Sequence, residues 1–456
     1  MLTSEIGRLI AQARFSDLPA QAVAMVKAAI RDFVACGLAG SRTEVAEKIL
    51  AYARRCERPG PAPIMGIKKF CLSPPAAAWV NGVLGHALDY DDVNQIAVAH
   101  TSVALAPAIF ALAEERPVSG KQAILAYAVG FELIVKLARR LNPAHYEHGW
   151  HSTLTLGAIG SAAAAGKVLG LTPDKLCFAL GIASSFAAGT RQNFGTMVKP
   201  LHAGNAARAG VTAALLAAEG FTADPDILGA KYGLGRVMSP GQPKDLKPMV
   251  RRWAQPWELL ASGIAIKNYP CCAGNHSSLD AMLRLIEEHD LQPAQVKRII
   301  CEVPSLVQGI LHRRRPTTAA EAKFSLEFAM AVAVMDRTAG LAQYTDRRLQ
   351  DPALRRLMAK VETKTLPKPL AKRLRAGGLK GARVTVELRD GRKLWGEAGE
   401  ARGHPGDPLR EVEHWAKFQE CAASVISRPR AQALFAALGG LDQIRDVRKI
   451  TQQFTS

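Results

Sequence analysis

Across roughly the first 260 residues no segment alternates apolar and polar side chains as a half-buried strand does; apolar residues instead recur at helical spacing, often among alanine and glycine. This confines the N-terminal part of the chain to packed helices. The first long block can be capped by Ser16 or Asp17, has Pro19 in its first turn, continues through Val23, Val26, Ile30, Phe33 and Val34, and ends near Gly37. Further helices are predicted over 43–55, 75–92, 102–115, 121–140, 153–168, 174–188 and 204–219. Nothing in this region suggests a parallel sheet.

The texture changes near Lys267. An irregular KNYPCCAGNH precedes a helix from Ser277 to His289, then VKRIICEV, whose β-branched residues predict a strand. A helix from Thr318 to Asp336 follows, and RVTVELRDGRKLWGE predicts a hairpin turning at Asp390–Gly391. This α+β unit holds about 130 residues, an ordinary domain size. GHPGDP reads as a connector to two last helices, Leu409–Ile426 and Pro429–Leu438, which should rejoin the first domain. The predicted fold is therefore mainly α with an α+β second domain: residues 1–265 and 405–456 form an all-α domain, and 266–404 form the second. No repeat or heptad run is visible, and the weakly patterned stretch from Thr222 to Gln255 is expected to border a cleft.

Several function classes lose support. The most membrane-like segment, TLTLGAIGSAAAAGKVLGL, contains Lys167 and falls short of the ~20 apolar residues that cross a bilayer. The opening MLTSEIGRLIAQARF lacks the features of a secretory signal, so a cytoplasmic location is expected. Eight scattered cysteines include no CxxC pair, and adjacent Cys271 and Cys272 lack zinc-ligand spacing; reduced, mostly buried thiols are expected. A net charge of +19 favours anionic partners: nucleic acid, anionic lipid or acidic metabolites. The densest basic cluster, His312 to Arg315, has no interleaved aromatic residue, which argues against a base-stacking surface. In GSAAAAGKV, five residues separate Gly160 from Gly166 where a phosphate loop needs four, and Val168 replaces its hydroxyl residue. There is no GxGxxG opening a helix after a strand, no GxSxG and no HExxH.

Ionisable residues crowd GHALDYDDVNQIAVAHTS. His86 and Asp89, three apart, could share a helical face, with Asp91, Asp92 and His100 following. Alone, this pattern fits a divalent-metal site using His86, Asp89, Asp92 and His100, a set of caps and ion pairs, or acid/base catalysis. His151 precedes an Ala/Gly-rich helix that Ser152 or Thr153 can cap, whereas His145 and His148 read as exposed loop residues. Lys199 lies before Pro200, at the entrance of a helix expected to begin near Gly204, beside His202; such a lysine could bind a carboxylate. Lys267 is placed similarly ahead of Tyr269 and Pro270, and His276 either caps the next helix or faces the cleft.

Taken in order, GHALDYDD with His100, GWHSTLTLG, KPLHAGNAARAG, KNYPCC, AKFSLEFAMA and the late GHPGDP with AKF resemble the MmgE/PrpD family over nearly the whole chain. The resemblance implies a large all-α domain built from both chain ends, a smaller α+β lid domain and a homodimer. It also implies a cofactor-independent enzyme, with no metal, acting on a small polycarboxylate, as do 2-methylcitrate dehydratases, cis-aconitate decarboxylases and iminodisuccinate epimerases. It places the catalytic positions at Asp89, His100, His151, Lys199 and Lys267, with His202, His276 and Phe328 contacting substrate. His100 and His151 then form the acid/base pair, Lys199 and Lys267 anchor carboxylates, and Asp89 orients a cation or serves as a second base.

A lyase of the 2-methylcitrate dehydratase type is the leading expectation, with an iminodisuccinate-type epimerase as the alternative within the family and a basic nucleic-acid-binding helical protein as the alternative outside it. Two departures bear on substrate. Val93 stands where the decarboxylase pattern has a hydroxyl, and Phe328 where many relatives carry tyrosine; NFGTMVKP and PCC look closer to the epimerase branch.

Overall fold

A computed structural model describes residues 1–239 and 245–455. The chain divides into two compact units: Met1–Gln192, Val198–Ile264 and Arg410–Ser456 make up the first, and Asn193–Met197 with Ala265–Leu409 the second. Helices dominate, with a small mixed sheet in the second unit. No helix among the described residues is long and apolar enough to cross a membrane.

In the first unit the helix Val198–Ala218 packs against Ser152–Leu169 and Pro74–His86, and Ser152–Leu169 packs in turn on Gly120–Leu141. Small residues permit this density. A Cβ on Gly204 would lie 2.4 Å from the Trp79 carbonyl oxygen, and one on Gly82 would lie 2.9 Å from the Gly204 Cα. The two helices thus cross almost backbone to backbone, which brings the start of one helix, with Lys199, to the end of the other, with His86. Gly204→Ala should consequently destabilise the protein by roughly 1–3 kcal/mol, the usual cost of overpacking a core. A denaturant midpoint equal to that of the unsubstituted protein would refute this close approach.

The C-terminal helices Glu411–Ala422 and Arg428–Gly439 pack on Ala20–Gly40, so both chain ends build the first unit. This unit also carries a short antiparallel ribbon, β1 (Pro59–Pro63) with β2 (Cys71–Leu72), which helical periodicity did not suggest. Two predicted helix boundaries move. The block expected over 75–92 ends at His86, and the helix expected near Gly204 begins at Val198. Pro200 is accommodated because a first-turn residue has no intrahelical partner for its backbone nitrogen. Between Thr222 and Gln255 only the short helices Leu234–Val237 and Pro248–Arg251 form, and residues 240–244 of that stretch lie outside the described residues.

The second unit is built on a four-stranded sheet of order β4-β3-β5-β6, comprising β3 (Val296–Val303), β4 (Val361–Thr365), β5 (Ala382–Leu388) and β6 (Lys393–Ala398). β3 and β4 are parallel; β5 is antiparallel to both β3 and β6. Ala382, Val384, Val386 and Leu388 alternate inward along β5, as its sequence requires. The β5–β6 turn is made at Asp390–Gly391, with Gly391 at φ +91. The helix His276–His289 packs on β5 and β6. The expected 318–336 helix is split into Ala319–Ala322 and Leu326–Asp336, because Ser325 Oγ accepts the Phe328 N–H at 3.1 Å and caps a new start. Asn193–Met197 groups with this unit: the Phe194 ring lies tilted against Phe324 with centroids 5.6 Å apart, and its carbonyl accepts from Arg313 at 3.1 Å.

Candidate active site

The first unit's site is organised by residues 87–101, the link between helices Pro74–His86 and Ser102–Ala113. His86 closes the first helix, and Asp89 adopts a left-handed conformation, φ +52, that an aspartate tolerates better than most side chains. Asp89 therefore does not share a helical face with His86, as their spacing suggested. The turn folds the segment back.

Interactions from several directions hold this segment. Lys417, on the helix Glu411–Ala422, donates to the Tyr90 carbonyl at 2.8 Å and pairs with Asp32 at 2.6 Å. Asp92 accepts from the Ser102 N–H at 3.4 Å and from the Ser102 hydroxyl, which lies 2.6 Å from the Tyr127 hydroxyl. The Asn94 amide donates to the Gly263 carbonyl at 2.8 Å, and the His100 N–H donates to Thr153 Oγ1 at 3.1 Å. Asp92 is thus committed to the loop's architecture, and Asp91 takes the position in the cluster that sequence spacing had offered to Asp92.

Asp91 Oδ1 lies 2.7 Å from His86 Nδ1, and its Oδ2 lies 3.0 Å from His100 Nδ1. Lys199 Nζ lies 2.6 Å from His86 Nε2 and 2.9 Å from Asp89 Oδ2. Asp89 Oδ1 is 3.6 Å from His100 Nε2, and the His86 and His100 rings are 4.2 Å apart. All five side chains are buried. An ammonium can only donate, so His86 Nε2 accepts from Lys199 and His86 Nδ1 donates to Asp91. Burial, reinforced by Lys199 and His100 and opposed by Asp91, lowers the His86 imidazole to about 3. Burial alone would raise the Asp91 carboxyl, yet the two neighbouring imidazoles hold it well below its ordinary range.

A second pair adjoins this array electrostatically. His151 Nδ1 meets His202 Nδ1 at 2.9 Å. His151 is the N-cap residue of Ser152–Leu169, and its own N–H donates to the Gly189 carbonyl at 3.1 Å. Burial first, then Lys199 and the other histidines, hold His151 well below its ordinary value, and burial with Lys199 and His86 lowers His202 to about 4. His145, read from sequence as an exposed loop residue, is fully buried. It bridges the Met238 carbonyl at 3.0 Å and the Thr155 hydroxyl at 2.8 Å, because the short helix Ala144–Glu147 turns it inward.

Asp89, His100, Lys199, His151 and His202 therefore come from one unit, and three places in its fold bring them in: the 87–101 link, the N-cap of Ser152–Leu169 and the start of Val198–Ala218. Lys267, His276 and Phe328 belong to the second unit, where each is buried. His276 Nε2 lies 3.3 Å from the Cys271 carbonyl oxygen and its ring meets Tyr269 edge-on, while Phe328 packs on Tyr344 at 5.1 Å. His86 and Asp91 were visible in the same crowded motif, His86 as a candidate metal ligand and Asp91 with no role assigned. Their proximity depends on the left-handed Asp89, which residue spacing does not announce.

One ligand-type atom each from His86, Asp89, Asp91 and His100 lies within 4.8 Å of the others. Lys199 Nζ already bridges the first two, so the chain itself sets one positive charge against these carboxylates. Such an array can hold an anionic substrate beside a fixed ammonium while neutral imidazoles exchange protons with it.

Residues 4–247 match the MmgE/PrpD N-terminal domain, and residues 269–440 match the MmgE/PrpD C-terminal domain. The chain belongs to the MmgE/PrpD family. Similar proteins include cis-aconitate decarboxylase of Homo sapiens, 30% identical over 93% of this chain and 88% of that protein. The mouse (Mus musculus) cis-aconitate decarboxylase is 29% identical over the same shares, and that of Aspergillus terreus is 28% identical over 99% of this chain and 95% of its own. These relatives are lyases, and this MmgE/PrpD chain is accordingly an enzyme with a lyase-type family function.

Proposed function

We propose that the protein is a lyase of small polycarboxylates that works through a carbanion next to a carboxylate. The observation that carries this reading is Lys199: a buried ammonium held between Asp89 and His86, with neutral imidazoles around it. Negative charge spread into a carboxylate as an enolate is stabilised by a preorganised donor in a dry site far more than in water. In this reading Lys199 meets that charge, Asp89 orients the ammonium, and His100 and His151 add or remove the proton at carbon. Lys267 is the second carboxylate anchor on the strength of the KNYPCC resemblance, with His276 and Phe328 contacting substrate. Neither a metal nor an organic cofactor takes part, and the enzyme acts as a homodimer in the cytoplasm.

Decarboxylation of an unsaturated tricarboxylate such as cis-aconitate draws support from the relatives, which match over nearly the whole chain. Dehydration of a 2-methylcitrate-type hydroxy acid draws support from Val93, buried and without the hydroxyl of the decarboxylase pattern, and from Phe328, buried where many relatives carry tyrosine. Incubation in deuterium oxide, with and without exhaustive chelation, separates the outcomes by NMR. Decarboxylation releases carbon dioxide and places one deuterium on an end of the allylic carbanion it leaves; dehydration yields an alkene; epimerisation exchanges the α proton and leaves the skeleton intact. We expect one of the first two signals at an unchanged rate after chelation. No turnover of any di- or tricarboxylate would sink the proposal.

A further inference from the structure

His151 and His202 are joined through the same atom of each ring, Nδ1 to Nδ1, at 2.9 Å, with ring centroids 5.2 Å apart. Two such nitrogens can bond only if one donates and the other accepts. In a neutral pair, the ring that donates from Nδ1 has a bare Nε2, and the ring that accepts must carry its own proton on Nε2. The pair therefore always offers one basic and one acidic Nε2. Which ring is which reverses when the shared proton crosses the 2.9 Å gap.

Two further features give this exchange a purpose. Both rings are buried close to Lys199, where an added positive charge is disfavoured for each of them. A lone histidine acting there would have to become an imidazolium; a coupled pair can pass the proton on and stay neutral. At the far end, a Cβ on Gly189 would come within 3.2 Å of His202 Nε2. Glycine at that position, with φ +113, leaves the edge of Nε2 the room a side chain would have taken.

Resting on the carbanion reading above, we propose that His202 is the relay partner of His151, exchanging protons with water so that His151 can serve carbon without becoming charged. In proton delivery the His151 Nε2–H bond breaks and a C–H bond forms with the carbanion's electron pair. The shared proton moves from His202 Nδ1 to His151 Nδ1, and water gives a proton to His202 Nε2, leaving hydroxide that combines with the released carbon dioxide as bicarbonate. In proton removal each transfer runs backwards, and the proton leaving His202 Nε2 neutralises the departing hydroxide as water. His202 acts through His151 and need not touch the substrate.

The test has two arms. In the resting protein, labelled with 15N-histidine and assigned with the single variants His151→Gln and His202→Gln, long-range 1H–15N NMR at neutral pH should show two neutral rings, one proton between their Nδ1 atoms and one on a single Nε2. Two imidazoles without the shared proton, or a charged ring, overturn the inference whatever the substrate. In turnover, His202→Gln should lower kcat roughly tenfold to a hundredfold, less than the roughly 10²–10⁴ typical of a group that itself transfers the proton at carbon, with KM nearly unchanged. The dependence of kcat on the deuterium content of water should be curved in the unsubstituted enzyme, with several protons in flight, and linear in His202→Gln. A linear dependence in both, or a loss confined to KM and melting temperature, reduces His202 to a packing residue. If no polycarboxylate reacts while the shared proton is present, the lyase reading fails and the coupled pair stands.

Discussion

Replacing Lys199 with methionine is expected to lower kcat by roughly 10²–10³, the loss typical when one preorganised donor to a developing oxyanion is removed. It should also cost stability. Lys199 is the ammonium nearest to Asp89, and breaking a buried ion pair by removing one partner typically costs about 3–5 kcal/mol, because the charge left behind has no compensation. His86 would lose the donor to its Nε2 in the same step, which frees it to reverse its tautomer and drop its bond to Asp91. Lys199→Arg separates the two effects. The guanidinium keeps the charge and should recover much of the stability, but its planar fork cannot place one nitrogen between His86 Nε2 and Asp89 Oδ2, so kcat should stay low. Denaturant midpoints and single-turnover rates of both variants check this. A methionine variant that turns over at the unsubstituted rate would remove Lys199 from the chemistry.

Acidification is expected to unfold the protein early. His86 is lowered to about 3, His145 and His202 to about 4, and His151 well below its ordinary value, all chiefly by burial. Unfolded histidines titrate near 6.5, so between about 6.5 and 4 the unfolded chain binds protons that the folded chain refuses. Stability is therefore complete above about pH 6.5 and declines as the pH falls through that window, each such histidine steepening the slope by about 1.4 kcal/mol per pH unit. Asp91, held low, extends the loss to still lower pH. Asp32 and Asp92, both raised chiefly by burial, take up protons in the folded state and offset part of it. Urea midpoints measured from pH 7.5 to 4.5 should fall steeply below 6.5, and His202→Gln should make the decline shallower by about one proton. A midpoint independent of pH over that range would contradict the neutral, buried histidines.

How legible the site was depended on where its geometry is encoded. The family resemblance, carried by motif order, named Asp89, His100, His151 and Lys199, and the fold places all four in the first unit. Roles within the cluster were less legible. His86 and Asp91 lie in the same motif, yet Asp91 faces both imidazoles and Asp92 faces Ser102 only because residue 89 turns left-handed. His202 was read as a neighbour of Lys199, and its bond to His151 joins residues 51 positions apart.

Local chemistry was sufficient for the elements. Apolar spacing marks the helices, alternation marks β5, and Asp390–Gly391 marks the turn, since each signal acts over a few residues through backbone preference and burial of one face. The edge strand β4, VETKT, was hidden because its polar residues alternate no apolar face. Asn193–Met197 was assigned by neighbourhood in sequence, whereas Phe324 and Arg313 draw it to the second unit. Tertiary structure alone decided that Gly82 and Gly204 let two helices cross at backbone distance, and so that Lys199 sits between His86 and Asp89 more than a hundred residues away. Close approach is a property of two surfaces at once, and neither surface is written in the spacing of the other.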